Sequence, residues 1–218
     1  MKKLYLILLL SFPLISLSQN NTTSSGFRSG INIGTIPFGE IGLITEYYKG
    51  GNALSLNLSY NFGMQGDMAT NYDFNKNTNG FLAAHGPVIR LGYKFGSNSD
   101  QSKLNFFLMP ELLFKQAGYD HITFTRKSDD DYIELVQSMC GNRYGAGLRF
   151  GWQKYLSPES KIFWELNFSA GAAYRVDKFM NYSNKSTSYV PLNTLIKEEG
   201  WILNYSLGFI IGFDFSKK

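Results

Sequence analysis

The sequence predicts an all-β chain: a closed antiparallel transmembrane β-barrel of about eight strands over residues 19–218, behind a cleaved signal peptide at 1–18. Three observations predict it. Apolar and polar residues alternate over long stretches, the N-terminus has the parts of an export signal, and no stretch after residue 19 approaches 18 uninterrupted apolar residues. The composition agrees: 44% hydrophobic and 16% aromatic, with 22 Gly, 18 Phe and 14 Tyr, suits strands with one apolar and one polar face better than a helical enzyme.

In the N-terminal segment, Lys2 and Lys3 precede the apolar run Leu4–Leu10, which Phe12 to Leu17 extends. Ser16-Leu17-Ser18 then gives a small-x-small cleavage pattern before Gln19. The run is too short for a spanning helix and contains Pro13, which argues against an uncleaved anchor; no Cys follows it, which argues against a lipoprotein. Losing the two lysines lowers the formal charge from +4 to +2, too little to imply a nucleic-acid partner. Cys140 is the only cysteine, so an intramolecular disulfide framework is excluded.

The alternation locates the strands. Between Trp201 and Phe215 all eight odd positions are apolar, while the even ones include Asn204, Ser206, Gly208, Gly212 and Asp214. Between Ile162 and Val176 all eight even positions are apolar, among them Trp164, Leu166, Phe168 and Tyr174, with Glu165, Asn167, Ser169 and Arg175 between them. A helix cannot gather either set on one face. Shorter runs (Leu54 to Phe62, Ile89 to Phe95, Leu104 to Phe114, Tyr144 to Trp152, and Ile31 to Tyr47 in two pieces) complete eight segments near 27–36, 40–48, 52–62, 81–95, 103–117, 141–156, 161–176 and 201–215.

Connections at 49–51, 96–102 and 157–160 are short, whereas 63–80, 118–140 and 177–200 are long and polar. Apart from the short 37–39, short and long alternate, as in barrels with tight turns at one rim and long loops at the other. Residues 122–125 and 132–137 are expected to extend the neighbouring strands rather than to add a ninth and tenth.

The apolar face is expected to meet lipid rather than a second sheet. Across the six best strands it carries one charge, Lys154, beside a turn. Aromatics gather near strand ends, with Tyr60, Phe62, Tyr93, Phe95, Trp152, Tyr155, Trp164, Phe213 and Phe215 expected at one rim and Phe81, Tyr144, Tyr174 and Trp201 at the other. Glycines such as Gly30, Gly42, Gly92, Gly145, Gly147, Gly171, Gly208 and Gly212 fall on the polar face, where they leave room in a narrow lumen.

With the signal ending Leu-Ser-Gln, the opening Gly30-Ile31-Asn32-Ile33-Gly34 and the closing Gly208-Phe209-Ile210-Ile211-Gly212-Phe213-Asp214-Phe215, the mature chain resembles the small outer-membrane β-barrel proteins of Bacteroidota. The resemblance implies an outer-membrane location, contact with membrane lipids and lipopolysaccharide, and handling by the barrel-assembly machinery, for which the aromatic last strand serves as signal. Ser216, Lys217 and Lys218 after Phe215 depart from that signal's usual form.

Motifs for chemistry are sparse. His85 is expected on the lipid-facing parity and His121 above the fifth strand, with no serine at a useful spacing; Asp129-Asp130-Asp131 reads as a solvated external run. No metal-ligand spacing or phosphate loop occurs, and no cofactor is expected. The strongest constellation is the set of charges on the polar face: Glu46, Arg90, Lys94, Glu111, Lys115, Arg143, Arg149, Glu165 and Arg175. An eight-stranded barrel is just wide enough for side chains to fill, so these are expected to plug the lumen as an ion-pair network. Glu111 is expected to pair with Arg90, or else with Arg143 or Arg149, and Glu165 with Arg149. The functional expectation is a monomer with a structural or surface-interaction role through its external loops. A narrow small-solute channel and a lipid-modifying enzyme are the alternatives.

Overall fold

A computed structural model describes residues 25–36, 39–62, 85–96, 104–128, 131–185 and 188–216. Among them are eight strands and no α-helix: β1 (Ser25–Asn32), β2 (Glu40–Lys49), β3 (Asn52–Asn61), β4 (Gly86–Phe95), β5 (Asn105–Ser128), β6 (Asp131–Tyr155), β7 (Ile162–Lys185) and β8 (Ser188–Asp214). Each pairs antiparallel with its neighbours in sequence, and β1 pairs with β8, so the sheet closes into a ring.

The register fixes the geometry of that ring. Starting at Ile211, the pairs run through Ile31, Leu43, Leu58, Ile89, Phe114, Tyr144 and Tyr174 and return to β8 at Trp201, ten residues from the start. A stagger of ten over eight strands implies a strand tilt of about 40° and a backbone radius of about 8 Å. Every side chain in this row is apolar, and the row spirals once around the outer face.

Faces follow the alternation. In β2, Glu40, Gly42, Ile44 and Glu46 are buried while Ile41, Leu43, Thr45 and Tyr47 are exposed. β3 repeats this, with Ser55, Asn57 and Ser59 inside and Leu54, Leu56 and Leu58 outside. The molecule is thus inverted: Leu58 is 48% exposed and Leu112 62%, whereas Lys94 and Asp214 are fully buried. Glycine makes the interior fit. A Cβ on Gly212 would overlap the Phe163 ring, which fills the lumen beside it.

Both termini of the ring and the turns after β2 and β6 lie at one rim. The β2–β3 turn takes two residues, Gly50-Gly51, with Gly50 at φ 61° where a side chain would be strained. At the other rim β1–β4 end early, but β5–β8 continue as two long hairpins. Their strands run to 24–27 residues, against 8–10 in β1–β4.

This corrects two readings of the sequence. Residues 118–140 and 177–200 are strand wherever they are described, not loop, and 122–125 and 132–137 do extend β5 and β6. Register shifts between Tyr119 and Ile122 and between Met180 and Tyr182 lie in these hairpins. Residues 1–18, 63–80, Phe81, Asp129 and Asp130 lie outside the described residues.

The aromatic assignments also change in part. Tyr60 pairs with Pro87, which puts Tyr60 and Phe62 at the hairpin rim, opposite Phe95. Tyr155 is buried inside instead of standing at the outer surface. Beyond Trp201 the outward face of β7–β8 turns polar at Lys178, Lys197 and Glu199. Glu199 hydrogen-bonds Lys197 and holds that ammonium above its ordinary value.

Candidate functional site

The buried charges occupy the interior in tiers. At the short-turn rim, Asp214 accepts hydrogen bonds from the Tyr155 hydroxyl (2.6 Å), the Tyr48 hydroxyl (3.1 Å) and the Ser216 backbone N–H (3.0 Å). Three donors on one buried carboxylate tie β2, β6 and the chain's last turn together. The Tyr155 and Phe163 rings pack with Ile44 and Ile210 beside it.

Above this cap lies the main network. Arg28 and Glu46 stand directly opposite in the β1–β2 register, with Nε 2.5 Å from Oε2. Lys94 Nζ reaches both Glu46 Oε1 (2.5 Å) and Glu165 Oε2 (2.6 Å). Lys94 is on β4, Glu46 on β2 and Glu165 on β7, so one ammonium bridges the interior. Asn167 Nδ2 donates to the second oxygen of Glu165 at 2.9 Å. Rings cover the cations: Lys94 lies 4.2 Å from the Phe107 centroid, and Arg28 about midway between Tyr48 and Phe163, at 5.4 and 5.5 Å.

Further toward the hairpin rim, Arg90 forks onto Glu40, Nη1 to Oε1 at 2.5 Å and Nη2 to Oε2 at 3.0 Å. Arg149 Nη2 lies 2.8 Å from Glu111 Oε2, but outside hydrogen-bond geometry, so the contact is an ion pair by proximity. Arg90 Nε, Arg149 Nε and Asn57 Nδ2 find no hydrogen-bond partner among the described residues. This tier is therefore less completely satisfied than the one built on Lys94.

The sequence-selected charges thus all face inward, but their partners differ from those expected. Arg90 takes Glu40 rather than Glu111, and Glu165 takes Lys94 rather than Arg149; Glu111 does meet Arg149. The cause is the stagger, since each step around the ring shifts the row along the axis. Partners at one height therefore sit on strands two or three apart as readily as on neighbours. The remaining three, Lys115, Arg143 and Arg175, gather near the hairpin rim, where Arg175 contacts Asp177 (3.2 Å) and Glu198 (3.5 Å).

Arg28, Glu40, Asp177 and Asp214 were missed by sequence reasoning, although parity alone identifies them. Arg28 shares a face with Gly30, and Asp214 with Gly212, and all four are buried. His85 is exposed, 3.2 Å from the Tyr60 hydroxyl on the outer surface, and Cys140 is exposed. No cluster of His, Cys, Asp and Glu fit to hold a metal occurs among the described residues.

Comparison with protein-family models, with known proteins and with solved structures finds no match for this chain. The arrangement itself must carry the functional argument. Chemically it fixes opposed charges across a narrow interior, leaving side chains where a pore would otherwise run.

Proposed function

We propose that the chain is a small outer-membrane β-barrel, exported by its N-terminal segment. In this reading it sits among lipids and lipopolysaccharide after insertion by the barrel-assembly machinery, as in the Bacteroidota class that the sequence resembles. Its lumen is filled by side chains, and its role is structural or adhesive, carried by the hairpins of β5–β8 that stand beyond the bilayer.

The inverted distribution of polarity carries this reading. A continuous apolar outer surface that includes Leu43, Leu58, Ile89, Leu112, Leu203 and Leu207 far exceeds the patch a soluble monomer tolerates. Hydrocarbon suits it, because closing the sheet satisfies backbone groups between strands without water. A tilt of about 40° suits an outer-membrane barrel, and the 8–10 residues of β1–β4 match the length needed to cross.

Fractionation of cells expressing the full chain tests the proposal. The protein is expected in outer membranes, resistant to carbonate and salt washes, starting at or near Gln19, with the β5–β6 and β7–β8 hairpins open to protease added outside. Recovery in a soluble fraction, or with Met1 intact, would overturn it.

A further inference from the structure

Seven of the eight ladders join strands that follow one another in the chain, whereas the ladder between β1 and β8 joins the first strand to the last. This seam is also the shortest ladder. It has five register pairs, from Arg28–Asp214 to Asn32–Ile210, against six between β4 and β5 and eight or more elsewhere. Closing it brings together residues as far as 189 apart in sequence, and no turn offsets the loop-closure entropy. Midway along the seam Gly30 faces Gly212, so no inward side chain ties the two strands there. The ties lie at its ends.

At the hairpin end, Asn32 Oδ1 accepts the Phe209 N–H at 3.2 Å, and Ile33 and Gly34 donate to the Phe209 carbonyl. The short-turn end is tied more densely. The Phe215 N–H donates to the Phe27 carbonyl at 3.0 Å. Ser216 then turns back across the seam. Its Oγ accepts the Phe27 N–H at 2.5 Å and donates to the Phe27 carbonyl at 3.3 Å, while its own N–H returns to Asp214 Oδ1 at 3.0 Å. A Cβ on Gly26 would overlap the Ser216 side chain, so that glycine seats it. Asp214, fully buried, also accepts from Tyr155 on β6 and Tyr48 on β2. The bond to Tyr48 reaches past β1, which fastens β8 to the far side of the seam.

We infer that Asp214 and Ser216 form a clasp that holds the β1–β8 seam shut, and that this seam is the line along which the ring opens. Ser216 follows the last aromatic residue, Phe215, where the sequence departs from the terminal signal of the class it resembles. The clasp gives that departure a purpose: the extra residues close the ring. The inference goes beyond the membrane reading and stands on ring closure alone.

Hydrogen exchange of the full chain in detergent micelles, read by mass spectrometry, tests it. Local opening sets the exchange rate of each ladder. In the unaltered protein, residues 29–32 and 210–213 are expected to exchange faster than the β2–β3 ladder. Ser216→Ala should speed them about fivefold, the scale of one neutral hydrogen bond, and Asp214→Asn more than about tenfold, because its bonds involve a charge. These residues lie outside the bonds removed, so faster exchange there reads opening rather than the lost contact itself. The β2–β3 ladder should keep its rate in both variants. Ser59→Ala, which removes a buried hydroxyl from β3, should leave the seam unchanged. Ile31 and Ile211 are opposite and exposed. Joining Ile31→Cys to Ile211→Cys with a short thiol cross-linker, in a Cys140→Ser chain, should return the Ser216→Ala seam to its original rate. Equal rates at the two ladders in the unaltered chain, acceleration of every ladder alike, a slow seam in Ser216→Ala, or a cross-linked seam that stays fast would each overturn the inference. Should Asp214→Asn fail to fold, Ser216→Ala decides alone.

Discussion

The two halves of the ring use the same alternation to opposite ends. Toward the short-turn rim, β1 closes on β8, Arg28, Glu46, Lys94 and Glu165 each meet an opposite charge within about 3 Å, Asp214 accepts three hydrogen bonds, and aromatic rings pack beside them. Toward the hairpin rim, β8 loses its β1 neighbour, three cations stand side by side, and glycine and alanine (Gly145, Gly147, Gly171, Ala173) take the inward positions. The number of inward charges does not distinguish them; the balance of sign and the completeness of the wall do.

That contrast predicts where substitutions hurt. The largest effect is expected at Lys94, whose removal takes from buried Glu165 the cation it contacts and leaves Glu46 with Arg28. Breaking a buried pair by deleting one partner costs roughly 3–5 kcal/mol, although the pair itself adds little net stability. Lys94→Met should therefore lower the unfolding midpoint in liposomes sharply. Adding Glu165→Gln should recover part of the loss, and strict additivity would mean the charges sit in water.

The outer face comes next. Arg at Leu58, where the wall is complete on both sides, should cost on the order of 2–4 kcal/mol, whereas Arg at Leu203, beside the open edge and near the rim, should cost about 0–1 kcal/mol. Equal penalties would erase the difference between the two halves, and a milder Leu58→Arg would invert the faces.

Arg143→Gln should do least. Its register neighbours are both cations, so relief of repulsion offsets the lost contacts, and stability is expected to stay within about 0.5 kcal/mol. A loss as large as that of Lys94→Met would show Arg143 to be a structural member of the lower network's kind.

The sequence displayed the two halves unequally, for a physical reason. Alternation arises only where one face is buried and the other is not. Trp201 to Phe215 borders the lumen and reads as a strand at once. Residues 177–200 extend beyond the ring, where the run Ile196 to Glu199 is exposed on both faces, so no period marks them and they read as a polar loop. Inward parity correctly gathered Glu46, Arg90, Lys94, Glu111, Arg143, Arg149, Glu165 and Arg175. It could not pair them, because pairing depends on the ten-residue stagger, which is a property of closure rather than of any strand. The turn-by-turn matching that joined Arg90 to Glu111 assumed neighbours at equal height. Arg90 instead reaches past β3 to Glu40 on β2.

The central claim is that a side-chain plug closes one half of this ring and leaves no aqueous path through it. Planar-bilayer recording of the purified protein tests that most directly. Eight-stranded rings with filled interiors leave no water channel, so the wild-type chain is expected to insert without stable conductance steps. Steady porin-like steps from a monomer would contradict the account.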